Sequence, residues 1–295
     1  MKRGILLAVA ALVLCGVIYG GLRYYGGWDM DVRPPESAPR YFVSGRGVSL
    51  RAFTEPPWQP GEPLVTYIGH HTLLIELGGG RILTDPFWGD AVGYHKRLRL
   101  PKAAPEDVGP LDVVLVTSPL PGHFDSRALD ALDKAATLIV PKGLARRASD
   151  LGFARVESPE PWGIVEVGDL EIVAVPTSRP EALGYIASAS GSAAYVTGPT
   201  KPFDGLARVA DYWQIDLLAL PYLGGSAGRV FTPAEAARVV ALLQPTAAIP
   251  LGYRTITRLP FFWTALDPVQ FPLKHRPAAG RVVPMDVGDR LELVN

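Results

Sequence analysis

Hydrophobic residues are distributed along the chain in two different ways. One long apolar run covers residues 5–22, and a stretch rich in Pro and Gly follows it up to about residue 61. Beyond that stretch, short apolar runs alternate with segments in which apolar residues recur three and four positions apart. Short runs bounded by Gly or Pro are typical of buried strands, and the second spacing is typical of amphipathic helices. The pattern therefore predicts an apolar N-terminal segment, a connecting segment and a mixed α/β domain.

The mixed domain is predicted to contain two sheets with helices outside them. Strand-like runs occur at 64–68, 72–77, 81–84, 112–117, 137–140, 163–167, 170–175, 193–197, 216–220, 247–251 and 290–294, and helix-like segments at 126–134, 144–151, 203–212 and 232–243. Strands in meanders, followed by helices in two successive halves, indicate a layered sandwich. The glycines at 78–80 connect two strands and open no helix, so they do not predict a phosphate-binding loop.

The N-terminal run has the features of a membrane anchor. It has about the length that crosses a hydrocarbon core, Lys2 and Arg3 precede it, and aromatic residues cluster at its far end. We predict a single-pass membrane protein whose domain is extracytoplasmic and whose partner is a lipid or an envelope protein. A cleaved signal peptide and a lipoprotein acylated at Cys15 are the alternatives. The predicted anchor, tether and domain cover residues 1–23, 24–61 and 62–295.

Charge and cysteine content exclude several classes of partner and site. The chain has 29 basic and 29 acidic residues, so its zero net charge offers no electrostatic basis for binding nucleic acid. Cys15 is the only cysteine, which excludes an intrachain disulfide and a cysteine-based zinc site.

Several segments have the order and spacing of a known family. The segment 65–76 resembles its opening TWIGHSTFLIE strand pair, 81–86 reads RILTDP as in the family, and 112–118 matches the strand that precedes its metal motif. The segments 232–237 and 282–293 resemble its last helix and closing strand. The chain thus resembles the metallo-β-lactamase superfamily, in the branch of N-acyl-phosphatidylethanolamine phospholipase D and ascorbate-6-phosphate lactonase. The resemblance implies an αββα four-layer sandwich over about 62–295.

The resemblance also implies a metal site, and the sequence departs from the family there. The family motif S-H-x-H-x-D-H corresponds to residues 118–125, where Pro119 and Pro121 replace two histidines and only His123 matches. Proline and glycine have no side-chain lone pair for a metal. The sequence therefore predicts that the zinc site is lost and that no cofactor is bound. The other ligand positions correspond to Ser178 or Arg179, Pro199 and Gly252.

Candidate site residues remain around the former metal motif. The resemblance places His70, Asp85 and His123 near it, and together they could act as an acid/base group. The structural alternatives are a buried, hydrogen-bonded histidine at position 70 and carboxylates that cap backbone amides, at Asp85 and at Asp125. His70 and His71 are adjacent, so in a strand their side chains would face opposite sides. Ligand-binding candidates are Ser118, Tyr253 and Arg254.

The predicted function follows from these losses. We predict a membrane-anchored, non-catalytic binding or regulatory pseudoenzyme. One alternative is a divergent hydrolase that acts on a lipid or phosphoester through a non-family site, and another is a structural module of an envelope complex. Metal analysis separates the first two hypotheses.

Overall fold

The computed structural model describes residues 48–52, 63–92, 95–221, 230–252, 255 and 282–293. Most strands in these ranges belong to two sheets, one of eight strands and one of six. In chain order the strands are β1 (Val48–Ala52), β2 (Leu64–Gly69), β3 (Thr72–Leu77), β4 (Gly80–Thr84), β5 (Ala91–Val92), β6 (His95–Lys96), β7 (Val113–Leu115), β8 (Thr137–Ile139), β9 (Arg155–Glu157), β10 (Ile164–Val167), β11 (Leu170–Pro176), β12 (Leu183–Ala189), β13 (Ser192–Val196), β14 (Leu217–Pro221), β15 (Ala247–Leu251) and β16 (Asp289–Leu293). The helices are α1 (Ser126–Asp130), α2 (Ala145–Ser149), α3 (Gly205–Tyr212) and α4 (Pro233–Leu243), with 3₁₀ turns at Pro105–Val108 and Lys142–Leu144.

Each sheet is antiparallel at one side and parallel at the other. The larger sheet has the order β1-β16-β2-β3-β4-β7-β8-β9 and becomes parallel from β4 onward. The smaller sheet has the order β10-β11-β12-β13-β14-β15 and becomes parallel from β13 onward. Parallel strands need crossover connections, and the described helices lie between them in sequence. Each half of the domain therefore has the same arrangement, antiparallel strands followed by parallel strands that helices connect.

Three buried clusters show that the layers are ordered helix, sheet, sheet, helix. One cluster combines side chains of both sheets, including Tyr67 and Tyr185. A second packs α3 and α4 on the smaller sheet, and a third packs α1 and α2 on the larger one. Each fully buried large apolar side chain contributes about 1.5–3 kcal/mol relative to exposure, so all three clusters stabilise the fold. The predicted sandwich of two sheets with outer helices is confirmed.

Helix α4 begins where the sequence predicted. Thr232 Oγ1 accepts a hydrogen bond from the Glu235 backbone N–H at 3.3 Å, and the Glu235 carboxylate accepts one from the Thr232 N–H at 2.8 Å. This reciprocal pair satisfies backbone donors that the first helical turn leaves free. The helix ends at Leu243, and the residue after it, Gln244, has a φ of 44° in the left-handed region.

The prediction of a single-pass membrane protein with an extracytoplasmic domain is not supported. No helix in the described ranges is long and apolar enough to cross a membrane. The longest of them, α4, has 11 residues, whereas a spanning helix needs about 20. This finding contradicts the predicted localisation as far as the described residues go. The anchor predicted at 1–23 lies outside them, and residues 48–52 of the predicted tether form β1, which pairs with β16.

Candidate functional site

Turns at the carboxyl ends of strands from both sheets meet at one edge of the sandwich. Asp85 follows β4, Thr117 follows β7 and Gly252 follows β15, while His70 and His71 form the turn between β2 and β3. The Gly252 N–H donates to the His70 carbonyl at 2.8 Å, which connects this turn to the smaller sheet. Ligands of α/β sheets bind beyond the carboxyl ends of the parallel strands. This edge is therefore the candidate site.

Asp85, Thr117 and His123 form a closed, buried hydrogen-bonded group. The Asp85 carboxylate accepts from the Thr117 backbone N–H and the Thr117 hydroxyl, each at 2.7 Å, and lies 2.7 Å from His123 Nδ1. The hydroxyl also lies 3.0 Å from His123 Nδ1. An ionised carboxylate only accepts hydrogen bonds, so the Nδ1 proton must point at Asp85. This assignment places the lone pair of the neutral imidazole on Nε2.

The backbone of Asp85 is fixed from both sides. Its φ of 39° lies in the left-handed region, which Asp and Asn adopt more readily than most residues. Its N–H donates to the Leu115 carbonyl at 2.8 Å, and its own carbonyl accepts from the Thr72 hydroxyl at 2.8 Å. Contacts with β7 and β3 therefore fix the orientation of the Asp85 carboxylate. The predicted role of Asp85, capping backbone amides, is seen in its bond to the Thr117 N–H.

His123 stands directly before the first helix of the larger sheet. Gly122 has a φ of 88°, and a Cβ there would lie 2.6 Å from His70 Nε2, so this turn requires glycine. Asp125 caps α1 by accepting from the Arg127 N–H at 3.1 Å, as predicted. His123 Nε2 has no hydrogen-bond partner within the described residues.

His70 and His71 face each other, so the expectation of opposite orientations is wrong. Their ring centroids lie 4.2 Å apart, because Gly69 and His70 have positive φ values of 129° and 61° and break the alternation of the strand. The His70 Nδ1 lies 2.9 Å from the Thr255 hydroxyl, which supports the predicted buried, hydrogen-bonded histidine. The His71 ring stacks on the His123 ring at 4.2 Å, and its nitrogens have no hydrogen-bond partner in the described ranges.

Burial keeps His70 and His71 uncharged. Burial, followed by repulsion from a charged His123, lowers the pKa of His70 and of His71 well below the usual 6.5; Arg97 adds to the effect at His70. Neutral imidazoles retain one N–H donor each. His71 can therefore offer a hydrogen bond to a ligand beside His123 without carrying charge.

The lowered pKa values predict that acid destabilises the fold. Below about pH 6.5 the unfolded chain binds protons on these histidines that the folded chain does not, so stability falls as pH falls. Each histidine contributes up to about 1.4 kcal/mol per pH unit in that window. Urea unfolding from about pH 7.5 to about pH 5.5 measures the slope, and His71→Gln is expected to reduce it by about half. Equal slopes in both proteins would contradict the buried neutral state.

The remaining candidate residues have structural roles or lie outside the described residues. Ser118 is fully buried and its Oγ accepts from the Leu120 N–H at 3.2 Å, which is a turn contact. Ser178 Oγ accepts from the Lys201 N–H at 2.9 Å and closes a loop. Tyr253 and Arg254 lie outside the described residues.

Sequence reasoning missed two members of the site. Thr117 directly precedes the altered motif at the end of a buried strand, and that position was a usable signal for a side chain at the site. Tyr185 comes from β12 in the smaller sheet, and its hydroxyl donates to the Val116 carbonyl at 3.0 Å. Burial, followed by the charge of Asp85, raises the pKa of Tyr185 well above 10.0, so this phenol stays protonated.

The described residues do not fit the metal site that the fold family implies. They contain no group of three or more His, Cys, Asp or Glu side chains placed to hold one ion. Asp85 already accepts three hydrogen bonds, and His123 Nδ1 is one of the donors. His275 and Asp267, which have donor atoms, lie outside the described residues. No reaction step is therefore assigned to a metal.

Known proteins match both the sequence and the fold. The beta-lactamase superfamily domain matches residues 64–198. A UPF0173 metal-dependent hydrolase of Pyrococcus furiosus is 32% identical over 78% of this chain and 99% of that protein. One from Methanopyrus kandleri is 31% identical over 65% of this chain and 84% of that protein.

Solved structures support the fold at lower identity. Igni18, a metallo hydrolase of Ignicoccus hospitalis, has a TM-score of 0.64 and 19% identity, covering 80% of this chain and all of that one. A possible metal-dependent hydrolase of Veillonella parvula has a TM-score of 0.66 and 15% identity, covering 79% of this chain and all of that one. Identities this low show the fold alone.

The relatives correct two predictions. They are named metal-dependent hydrolases, which contradicts the prediction of a non-catalytic pseudoenzyme and the prediction that no metal cofactor is used. Both predictions rested on the replaced motif, whereas overall similarity extends along nearly the whole length of the Pyrococcus relative. The finer placement in the phospholipase and lactonase branch stays a prediction. The chain belongs to the UPF0173 family, within the beta-lactamase superfamily.

Proposed function

We propose that the protein is a hydrolase of carboxylic esters or lactones in which the Asp85–His123 pair acts as general base. The observation that carries this proposal is the 2.7 Å contact between the Asp85 carboxylate and His123 Nδ1, with His123 Nε2 left without a partner in the described residues. A histidine held in this way can take a proton from a water molecule.

The proposed reaction moves one proton through His123. Nε2 removes a proton from water as the water oxygen attacks the substrate carbonyl, and Asp85 stabilises the resulting imidazolium. The same nitrogen then returns the proton to the leaving alkoxide as the acyl–oxygen bond breaks. The products are a carboxylic acid and an alcohol, or a hydroxy acid from a lactone. Thr117 takes no proton and holds the carboxylate in place.

His71 is the candidate donor to the negative charge that develops on the carbonyl oxygen. Its ring lies 4.2 Å from the His123 ring, and its lowered pKa keeps it as a neutral N–H donor. Preorganised donors in a dry site are a major contribution to catalysis. A neutral donor also avoids placing a second cation beside the imidazolium.

The charge of the site favours an acyl bond over a phosphoester. Attack on a phosphoester must be stabilised against several negative oxygens, a task that proteins usually give to metal ions or arginine clusters. The described side chains that contact His123 are one carboxylate, one hydroxyl and one neutral histidine, and a single arginine, Arg97, acts on the neighbouring His70. A single developing oxyanion suits this set better.

The relatives are named metal-dependent hydrolases, so the test of this proposal includes the effect of metal on activity. Hydrolysis of aryl acetates and small lactones is measured before and after removal of bound metal by a chelator, and again after zinc or manganese is restored. Loss and recovery of activity would assign a role to donors outside the described residues. The proposal fails if no substrate of either class is turned over with saturation in any of these states.

Thr117→Val is expected to lower kcat for ester hydrolysis about 10- to 100-fold, because Asp85 loses a charge-assisted hydrogen bond. Thr117→Ser keeps the hydroxyl and is expected to restore most of the rate. Steady-state kinetics with an aryl acetate measure both variants, and unfolding by urea checks that they are folded. A valine variant with unchanged kcat and pH profile would remove Thr117 from the positioning role.

A further inference from the structure

A segment that carries β5 and β6 lies against the turn at Gly122. Its described residues are 87–92 and 95–99, and we call them the cover segment. A Cβ on Gly122 would lie 3.3 Å from Val92 Cγ2 and 2.6 Å from His70 Nε2. Val92 therefore packs on the backbone directly before the proposed base, on the side of the His70 ring.

Arg97 fixes the shape of the cover segment from inside. Its Nε donates to the Arg99 carbonyl and its Nη1 to the Phe87 carbonyl, each at 2.8 Å. Its backbone N–H donates to the Asp90 carbonyl at 2.7 Å, and its Cζ lies 5.0 Å from the centroid of the Phe87 ring. The carbonyl oxygens and the ring face stabilise the buried cation. Both ends of the segment are thus bonded to one buried side chain.

The cover segment is also fixed relative to His70 at both of its ends. At the first end, the Phe87 N–H donates to the Thr72 hydroxyl at 3.1 Å, and the Phe87 ring lies 5.4 Å from the His70 ring. At the other end, the Leu98 N–H donates to the Thr255 carbonyl at 2.7 Å. The Thr255 hydroxyl in turn lies 2.9 Å from His70 Nδ1. The segment is therefore a rigid neighbour of the histidines.

The histidines of the candidate site have little direct contact with solvent. His70, His71 and His123 are 3%, 5% and 5% exposed. A substrate must therefore pass or displace groups that cover them. Val92 is one such group, because it is partly exposed and packs on the turn that leads into His123. Its apolar side chain is suited to contact the acyl part of a substrate that approaches this residue.

We propose that Val92 limits the size of the acyl group that reaches His123, so that short acyl groups are preferred. The inference rests on the proposed function and names its substrate class, esters and lactones of small apolar acids. The close contact of Val92 Cγ2 with Gly122 leaves no space for another carbon between the side chain and the turn. Arg97 prevents the segment from moving aside, and a rigid wall excludes a longer chain more strongly than a mobile one.

Two aryl esters that differ only in the length of the acyl chain test the proposal, 4-nitrophenyl acetate and 4-nitrophenyl hexanoate. In Val92→Ala, the ratio of kcat/KM for the hexanoate to that for the acetate is expected to rise about 10-fold, because two methyl groups are removed. Ala91→Val is the matched control, because this neighbouring strand residue is exposed and faces the opposite side, so the ratio should not change. An unchanged ratio in Val92→Ala would overturn the proposal while leaving the hydrolase intact.

Chemical acylation of His123 separates this proposal from failure of the proposed function. Diethyl pyrocarbonate acylates neutral imidazole nitrogens, and mass spectrometry of the peptide that contains His123 measures the rate. The rate is expected to rise about 10-fold in Val92→Ala and to stay unchanged in Ala91→Val, even if neither ester is cleaved. Faster acylation without ester turnover would support the role of Val92 in controlling access and reject the proposed hydrolase. Equal acylation rates in Val92→Ala and the wild-type protein would contradict that role.

Discussion

Asp85→Asn is expected to lower kcat for ester hydrolysis by about 10,000-fold while the protein stays folded. The carboxamide presents an N–H where Asp85 accepts from His123, so the imidazole would turn its Nδ1 lone pair toward position 85 and carry its proton on Nε2. That tautomer has no lone pair for the attacking water. Asparagine tolerates the left-handed φ of 39° at this position, so the backbone should be retained. Steady-state kinetics and urea unfolding measure the two properties separately.

The matched control is Asp125→Asn, which changes the same chemical group two residues from His123. Asparagine is as good an N-cap as aspartate, so α1 should be kept and kcat should change little. His123→Gln should lose at least as much activity as Asp85→Asn, and the double variant should be no worse than the more damaged single one, because the pair acts as a unit. Additive losses, or a fully active Asp85→Asn, would mean that the pair is not the base.

Gly198→Ala is expected to destabilise the fold by about 2–5 kcal/mol. Gly198 has a φ of 64°, and a Cβ there would lie 2.6 Å from the Leu183 carbonyl oxygen and 3.1 Å from Thr117 Cβ. The energetic costs of the backbone strain and of the two close contacts add. The second contact also displaces Thr117, which hydrogen-bonds to Asp85. Activity should therefore fall together with stability.

Gly191→Ala separates strain from crowding in the same experiment. Gly191 also has a positive φ, of 78°, but a Cβ there would meet nothing within 4 Å. Its loss should be limited to the backbone cost of about 1–2 kcal/mol, with unchanged kcat. Urea unfolding compares the two variants, and similar losses in both would show that the approach to Leu183 and Thr117 is not limiting.

Much of the fold could be predicted because local signals carry it. The strand 72–77, the glycine turn after it and the reciprocal cap of Glu235 are all short-range patterns, and each is present in the structure. The prediction missed β12, whose residues 183–189 include Gly, Ala and Ser in place of the usual branched residues. Its burial depends on neighbours on both sides, β11 and β13, which short-range propensity does not contain.

The candidate site was only partly predictable because its contacts span long distances in sequence. Asp85 and His123 were suspected from the resemblance, but nothing local indicated that Thr117 would bond to both. The orientation of His70 and His71 depended on the positive φ of Gly69, which a strand pattern does not reveal. Emphasis on the altered metal motif led to the mistaken pseudoenzyme prediction.

The hydrogen bond from the Leu183 N–H to the Thr117 carbonyl, at 2.9 Å, crosses from the smaller sheet to the end of β7. Although Asp85, Thr117 and His123 all belong to the first half of the chain, the strand that steadies them is made later in sequence. During synthesis, all three residues would therefore be made before the strand that fixes their arrangement. We therefore expect catalytic activity only after both halves of the domain have folded and packed together.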